Sequence, residues 1–254
     1  MSLLGASGSN LFGLLFVILF FALMVLFSIL SRGRARRNLR EISAFSKLKR
    51  QIGLAVEAGK RLHISLGHGG LYGPPSGSAL VGLSMLQRVA RAASISDRPP
   101  VATSGEAVES VLSQDTLRDA YQHIGAENQY EHTSGQVTGL TPFSYAAGTI
   151  PVISDQQVST NILSGSFGGE VALIADAAER NGSMVLAGSD SLPGQAVLYA
   201  AADEPLIGEE LYAGGAYLQA GPVHTASLRV QDILRWVLVI VILVGAFLKL
   251  VGVL

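Results

Sequence analysis

The apolar residues of the chain are most concentrated near its two ends. Residues 11–30 (LFGLLFVILFFALMVLFSIL) carry no charge, and residues 233–254 carry only Arg235 and Lys249. A helix of about 20 residues spans roughly 30 Å, the thickness of the hydrocarbon core of a bilayer. We therefore predict two transmembrane helices, at residues 11–30 and 233–254, with residues 1–10 as a short segment outside the cytoplasm.

A cleaved signal peptide is the alternative interpretation of the first apolar run. Signal peptides begin with a positively charged segment, have a shorter apolar core and end at a small-residue cleavage site. Residues 1–10 (MSLLGASGSN) carry no charged side chain, and arginines follow the apolar run. This pattern favours an uncleaved membrane anchor.

Between the two apolar runs, short apolar stretches alternate with longer helical stretches. The predicted strands are residues 62–67 (LHISLG), 100–103 (PVAT), 149–154 (TIPVIS) and 183–188 (SMVLAG). The predicted helices are residues 78–93, 106–125, 169–182 and 193–202, with a shorter one at residues 209–218. This alternation predicts right-handed βαβ crossovers and a Rossmann-like parallel sheet, in an α/β domain at residues 62–221 between the two transmembrane helices.

Two further stretches differ from this pattern. Residues 123–143 are polar and rich in turn formers, so no element is assigned to them. After residue 221, a helical linker at residues 222–232 is expected to continue into the second apolar run as one long helix.

Residues 31–61 form a basic segment between the first apolar run and the domain. Its apolar positions fall near helical spacing, which predicts an amphipathic stalk helix. Up to residue 50, Glu41 is its only acidic residue, and its basic residues are Arg32, Arg34, Arg36, Arg37, Arg40, Lys47, Lys49 and Arg50. Because Lys and Arg are enriched on cytoplasmic flanks, we predict a cytoplasmic domain with both termini outside. The five arginines up to residue 40 are expected to contact lipid headgroups.

The domain itself is acidic, although the whole chain has a net charge of only −1. Residues 62–228 carry five arginines against sixteen acidic residues. Such a domain is a poor partner for nucleic acid, because phosphate contacts supply most of that affinity. The chain contains no cysteine, which is compatible with any compartment.

In a parallel sheet of this kind, ligands bind in the crevice at the carboxyl ends of the strands. Four predicted loops meet there: residues 67–73, 103–106, 154–157 and 188–191. The candidate ligand-binding residues in these loops are Gly67, His68, Gly69, Gly70, Ser104, Glu106, Asp155 and Asp190. Small polar residues also serve at such positions as turn formers and helix caps, and this alternative stays open.

The glycines of the first loop do not complete a dinucleotide-binding motif. The sequence from Gly67 is G-x-G-x-x-x-G, with Tyr72 where the third glycine is required. Prolines at residues 74–75 hold the chain extended, so the next helix is expected to begin near residues 76–78, too late to face a pyrophosphate. No G-K-[ST] sequence of a Walker A loop follows, and no cofactor is predicted.

A second glycine-rich stretch, residues 165–170 (GSFGGE), precedes another predicted helix. Glu170 in its first turn complements the positive end of the helix and would repel a phosphate. We interpret this stretch as one that lets a helix pack close to a strand.

The sequence lacks the residue patterns of common catalytic and metal sites. Residues 68–70 (HGG) are similar to the oxyanion loop of esterases, but no G-x-S-x-G nucleophile motif is present. The five histidines show no H-x-x-x-H or H-E-x-x-H spacing. We predict neither catalytic residues nor a metal site. His63 alternates with apolar residues in the first strand, and we interpret it as a structural residue.

Four stretches of the chain resemble a known family. They are RLHISLGHGG, PFSYAAGTIPVI, NILSGSFGGEVALIADAAERNG and GEELYAGGAYL, within residues 61–218. They resemble a family of bacterial membrane proteins defined as a domain of unknown function. The resemblance implies a location in the bacterial inner membrane, and it brings no activity, ligand or catalytic residue with it.

These observations favour a membrane-anchored, non-enzymatic structural or assembly protein that associates with itself. The basic segment and the acidic domain of neighbouring copies are complementary in charge, and small residues on the helices allow close approach. The alternative is a membrane-tethered sensor or binding module that holds a nucleotide or another small metabolite in the strand-end crevice.

Overall fold

The computed structural model describes residues 2–30, 39–73, 75–93, 96 and 98–252, arranged in two compact units. In chain order, the helices are α1 (Ser2–Leu30), α2 (Ser43–Glu57), α3 (Ser76–Ala93), α4 (Ala107–His123), α5 (Pro142–Asp155), α6 (Val171–Arg180), α7 (Leu192–Ala201), α8 (Gly214–Tyr217) and α9 (Pro222–Leu250). The strands are β1 (Arg61–Gly67), β2 (Val101–Ser104), β3 (Gly135–Val137), β4 (Val158–Ser166), β5 (Met184–Ser189) and β6 (Glu204–Leu206). Arg32, Arg34, Arg36 and Arg37 lie outside the described residues.

One unit combines the two ends of the chain, and in it α1 and α9 pack against each other. α9 joins the predicted linker and the second apolar run in a single helix, as expected. By length and composition, α9 is able to cross a membrane. The apolar part of α1, Gly13–Ile29, is shorter than a spanning helix requires. The described residues therefore contain one helix that meets the criteria for a membrane span, and the first span stays a prediction.

The other unit, Glu41–Ala220, contains one parallel sheet of six strands in the order β3-β2-β1-β4-β5-β6. This confirms the predicted α/β class with a Rossmann-like sheet. β1, β2 and β3 follow one another toward one edge of the sheet, and β4, β5 and β6 follow one another toward the other edge. The direction in which strands are added therefore reverses between β1 and β4. In open parallel sheets, the loops at such a point diverge and leave a crevice for a ligand.

Helices cover both faces of the sheet, because strand side chains alternate between two apolar cores. Leu62, Ile64 and Leu66 of β1 belong to the core covered by α2, α3 and α4. The core on the opposite face includes Tyr145 of α5 and Ile174 of α6. His63 and Ser65 of β1 therefore point to the second face, where buried polar side chains such as Thr103 and Asn161 surround them.

Glycines let the central elements approach closely at β4. A Cβ atom on Gly165 would lie 1.7 Å from the carbonyl oxygen of Leu66 in β1. A Cβ atom on Gly82 of α3 would lie 2.4 Å from the carbonyl oxygen of Ser164. Real Cβ atoms do not approach backbone oxygens this closely, so α3, β1 and β4 pack backbone to backbone beneath the crevice.

The prediction that residues 149–154 form a strand is wrong, because these residues lie within α5. Thr141 and Ser144 form a capping box: the Thr141 hydroxyl accepts from the Ser144 N–H (3.4 Å), and the Ser144 hydroxyl accepts from the Thr141 N–H (3.0 Å). Pro142 occupies the first turn. These are strong signals for a helix start, and they outweigh the β-branched residues of TIPVIS. The strand follows instead at Val158, in a stretch that the sequence pattern assigned to a loop.

Two short edge strands have no counterpart in the sequence prediction. β3 lies within residues 123–143, after two 3₁₀ turns, and β6 follows α7. Each contains three residues, too few for an alternating pattern to be recognised. β3 is held in place by α4, because the Gln114 side-chain amide donates to the Gly135 carbonyl oxygen (2.6 Å).

The basic segment before the domain also differs from the predicted stalk. Residues 39–42 are not helical, and α2 begins only at Ser43. Phe45 and Leu48 are buried in the first core, and the Phe45 ring stacks on Tyr217 with centroids 5.0 Å apart. α2 is thus part of the α/β unit, because its apolar face covers the sheet.

Candidate functional site

Three of the four predicted loops meet at the carboxyl ends of the strands. They contain the predicted residues Gly67, His68, Gly69, Gly70, Ser104, Glu106 and Asp190. Asp155 is not among them, because it ends α5 and precedes β4. The next side chain, Gln156, accepts a hydrogen bond from Arg61 at the start of β1 (2.8 Å). The prediction that Asp155 joins the crevice is therefore wrong, and residues 166–170 after β4 take the place of that loop.

The β1 loop is attached to both neighbouring strands. Gly67 has a φ of 74°, and a Cβ atom there would lie 2.3 Å from the Ser166 carbonyl oxygen. The His68 N–H donates to that same oxygen (2.9 Å), and the Gly105 N–H donates to the Gly67 carbonyl oxygen (2.7 Å). Glycine is required at residue 67 because the chain turns there in the left-handed region against backbone.

Two of the predicted residues have local roles. The Ser104 hydroxyl donates to the Glu106 carbonyl oxygen (3.0 Å) and so stabilises the turn after β2. The Glu106 side chain is exposed and makes no capping hydrogen bond at the start of α4. The Ser104 contact fits the alternative in which this residue serves as a turn former.

His68 lies over the turn after β2 with its hydrogen-bonding capacity unused. A Cβ atom on Gly105 would lie 2.3 Å from Nδ1 of the imidazole, so the ring fills the space above that glycine. The ring meets Tyr145 edge to face, with centroids 4.9 Å apart. Both ring nitrogens are buried, and neither has a hydrogen-bond partner among the described residues. A neutral imidazole there offers one donor and one acceptor to a further group.

Glu109, in the first turns of α4, is a site residue that the sequence analysis missed. Its side chain is buried beneath the β1 loop, and Oε1 accepts a hydrogen bond from the Gly70 N–H (2.8 Å). Oε2 is buried without a partner among the described residues. Burial raises the pKa of Glu109 to about 7; the Gly70 N–H opposes this shift, and the charge of Glu106 adds to it. The carboxyl group therefore gains or loses a proton near neutral pH.

Tyr145 connects this site to the interior of the sheet. Its hydroxyl contacts the Ser65 hydroxyl, the Gly67 N–H (3.3 Å) and the Thr103 hydroxyl (3.2 Å). Burial raises the pKa of Tyr145, and the nearby charge of Glu109 acts in the same direction. The phenol consequently stays protonated and neutral at physiological pH.

A buried chain of hydrogen bonds continues from Thr103 across the sheet. Thr103 Oγ1 lies 2.9 Å from His63 Nε2, and His63 Nδ1 lies 2.9 Å from Asn161 Oδ1. The Asn161 amide then donates to the Ser183 hydroxyl (2.8 Å). Burial lowers the pKa of His63 to about 4, although the hydrogen bond to Asn161 opposes this. His63 is therefore neutral and fully hydrogen-bonded, which confirms its interpretation as a structural residue.

The strand order is that of dinucleotide-binding domains, but the residues at the reversal do not fit a pyrophosphate. α3 begins at Ser76, as expected from the prolines before it. In its first turn, the Ser78 hydroxyl donates to Asp190 Oδ2 (2.7 Å). In the β4 loop, the Gly168 N–H donates to Glu170 Oε1 (2.7 Å). Carboxylates of the protein itself therefore take the donors that a phosphate would need.

Comparison with known families identifies the group to which this fold and site belong. The family described as Domain of unknown function (DUF6754) matches residues 7–254. The chain belongs to this family. The match confirms the resemblance to an uncharacterised family that residues 61–218 indicated. No curated protein and no solved structure matches the chain.

In this DUF6754 member, the charged side chains in the loops at the carboxyl ends of the strands are all acidic. Residues 67–76, 104–109, 166–171, 189–194 and 207–212 contain no Lys or Arg. Their acidic residues are Glu106, Glu109, Glu170, Asp190, Glu209 and Glu210. Among the described residues, no group of three or more His, Asp or Glu side chains is arranged to hold a metal ion. The crevice thus combines negative charge with unused hydrogen-bonding groups.

Proposed function

We propose that this chain is a binding protein anchored in the bacterial inner membrane. In this proposal the apolar runs of α1 and α9 both span the bilayer, the α/β domain is cytoplasmic, and both termini lie outside. The composition of α9 supports one span, and the absence of charge at residues 11–30 supports the other. The arginines that follow residue 30 support the orientation.

The observation that carries the binding function is the unused hydrogen-bonding capacity at the strand ends. Oε2 of Glu109 and both ring nitrogens of His68 are buried without partners in the described structure. Buried polar groups without partners destabilise a fold by about 1–3 kcal/mol each, so native structures retain few of them. A small ligand that hydrogen-bonds to these groups removes that penalty, and it does so where parallel sheets bind their ligands.

Protease digestion of membrane vesicles that contain the full chain tests this proposal. Protease should cut the α/β domain in inside-out vesicles but not in right-side-out vesicles. A metabolite that binds should raise the temperature at which cutting begins, with about 2.7 kcal/mol of stabilisation at a hundredfold excess over Kd. His68→Ala should remove this protection, whereas Tyr199→Ser, at the far end of α7, should leave it intact. Cutting in right-side-out vesicles would contradict the topology, and a broad metabolite screen without protection would contradict ligand binding.

Assembly of several copies is a second candidate function, and exposed apolar side chains favour it. Several helices that follow a strand expose apolar side chains near their start. They are Leu80 of α3, Val108 and Val111 of α4, Phe143 of α5, Leu173 of α6 and Leu192 of α7. Phe143 is 70% exposed and Leu192 is 79% exposed. Apolar groups around one end of a domain are typical of protein–protein contact surfaces.

Native mass spectrometry of the gently extracted full chain tests this assembly. The complex should have a mass that is a multiple of 26.6 kDa. The double substitution Phe143→Ser and Leu192→Ser should reduce the number of copies, because it removes apolar area from the proposed contact. Tyr199→Ser is the matched control, since Tyr199 is 73% exposed but lies toward the other end of α7. A monomer at all salt concentrations, or an equal effect of the control, would contradict assembly through this surface.

A further inference from the structure

The unpartnered atoms at the strand ends determine what a ligand must offer. Oε2 of Glu109 is an acceptor when the carboxyl group is ionised, so it requires a donor on the ligand. One nitrogen of a neutral His68 is also an acceptor, and the other carries a proton and requires an acceptor. The two ring nitrogens point away from each other, so a small ligand satisfies Oε2 and one nitrogen. Such a ligand carries an N–H or O–H donor and a second group, such as a hydroxyl, that can donate or accept.

The surrounding charges select among such ligands. Glu106, directly before α4, acts on Glu109 through its charge, and the neutral Tyr145 phenol lies close enough for the charge of Glu109 to act on it. The His68 ring packs against Tyr145. The strand-end loops contribute no Lys or Arg. A phosphate or carboxylate would meet only like charges there, whereas a cation would be attracted.

The loop above Glu109 provides a route to the buried carboxylate. Gly67, Gly70 and Gly73 have φ values of 74°, 60° and 86°, and Tyr72 at its tip is 89% exposed. Apart from its two neighbours in the chain, no atom of the described residues lies within 4 Å of the position of a Cβ on Gly70. The hydrogen bond from the Gly70 N–H to Glu109 is the contact through which this loop covers the carboxylate. A ligand reaches Oε2 when the loop moves aside, and glycines permit the change in backbone angles.

We propose that the crevice binds a small amino alcohol, whose ammonium group donates to Glu109 Oε2 and whose hydroxyl forms a hydrogen bond with one nitrogen of His68. This inference rests on the proposed binding function and specifies the chemical class of its ligand. The ligand is a free amino alcohol and not a phospholipid headgroup, because the phosphate of a headgroup would meet the acidic loops. Ionised Glu109 is the form that binds, so binding releases a proton at pH values below neutrality.

Isothermal titration calorimetry on the full chain in detergent micelles tests this inference with two matched probes. Serinol (2-amino-1,3-propanediol) carries an amino group where glycerol carries its central hydroxyl, and the two molecules are otherwise the same. Serinol should bind at pH 8 and glycerol should not. The affinity for serinol should fall about tenfold between pH 8 and pH 6, as Glu109 takes up a proton. Glycerophosphoethanolamine should bind more weakly than serinol, and tighter binding of this headgroup would overturn the choice of a free amino alcohol.

Substitution of Glu109 distinguishes the site from unspecific attraction of a cation. Glu109→Gln retains an oxygen that accepts from the Gly70 N–H, so the fold should persist, as circular dichroism will check. It should weaken serinol binding at least tenfold at pH 8 and abolish the pH dependence. Asp115→Asn removes the same charge from an exposed position on α4 and should leave the affinity unchanged. Equal effects of the two substitutions, or equal binding of glycerol, would overturn the inference. If a ligand that is not an amine protects the domain in vesicles from protease, the proposed ligand class is wrong. The proposed binding function would still be supported.

Discussion

Replacement of Gly165 by alanine is expected to unfold the α/β domain. The added Cβ atom would lie 1.7 Å from the Leu66 carbonyl oxygen, and both positions belong to backbone in the two central strands. β1 and β4 cannot move apart without losing the hydrogen bonds between them or the close packing of α3 on β4. We expect a loss of more than about 4 kcal/mol, a large part of the stability of a typical domain.

Gly169→Ala is the matched control for this substitution. Gly169 lies four residues further along the same segment. Among the residues that the structure describes, none except its chain neighbours has an atom within 4 Å of a Cβ at this position. Thermal unfolding of the full chain in detergent, followed by circular dichroism, should show a normal transition for Gly169→Ala and none for Gly165→Ala. A melting temperature within a few degrees of the unsubstituted chain for Gly165→Ala would show that β1 and β4 pair differently.

Acid should destabilise the Glu109→Gln chain much more than it destabilises the unsubstituted chain. His63 has a pKa of about 4 in the folded domain against an ordinary value of 6.5. Its contribution to stability is therefore present above pH 6.5 and is lost as the pH falls through 4. Glu109 acts in the opposite direction, because its pKa rises from 4.5 to about 7 and its contribution is lost as the pH rises. Between pH 4.5 and 6.5, the two groups largely offset each other.

Without the Glu109 carboxyl group, the contribution of His63 to the pH dependence of stability is no longer offset. The Glu109→Gln chain should lose about 3 kcal/mol between pH 7 and pH 4, at up to about 1.4 kcal/mol per pH unit. Adding His63→Gln should remove this loss, although it lowers stability at every pH by disturbing the hydrogen bonds to Thr103 and Asn161. Urea unfolding at half-unit pH intervals measures both slopes. Parallel slopes for the single and double variants would contradict the burial of a neutral imidazole.

The sequence predicts most of the fold because most of its elements are long enough to show their period. β1, β2, β5 and the helices α3, α4, α6 and α7 lie where the apolar pattern places them. The pattern fails at TIPVIS, since its β-branched residues favour a strand locally while the capping box at Thr141 commits the chain to a helix. The wrong prediction for Asp155 has the same cause. A strand at residues 149–154 would place Asp155 at the carboxyl ends of the strands, whereas it actually precedes β4.

The candidate site is predictable only in part, because its key contact is tertiary. His68 and the glycines of the β1 loop follow a strand end, and this position alone indicates a crevice. Glu109 gives no such signal, since an acid near the start of a helix is usually solvated and complements the helix dipole. It becomes buried only because the β1 loop folds over it and Gly70 donates to it. The sequence at residues 107–110 carries no information about that loop.

The two edge strands, β3 and β6, restrict how copies of this domain can meet. Each edge is only three residues long and offers few free backbone groups, so joining two sheets into one continuous sheet would gain few hydrogen bonds. Any lateral contact between domains must therefore involve side chains of helices and loops. Because such contacts depend on individual residues, point substitutions on the surface can tune or abolish assembly without disturbing the sheet.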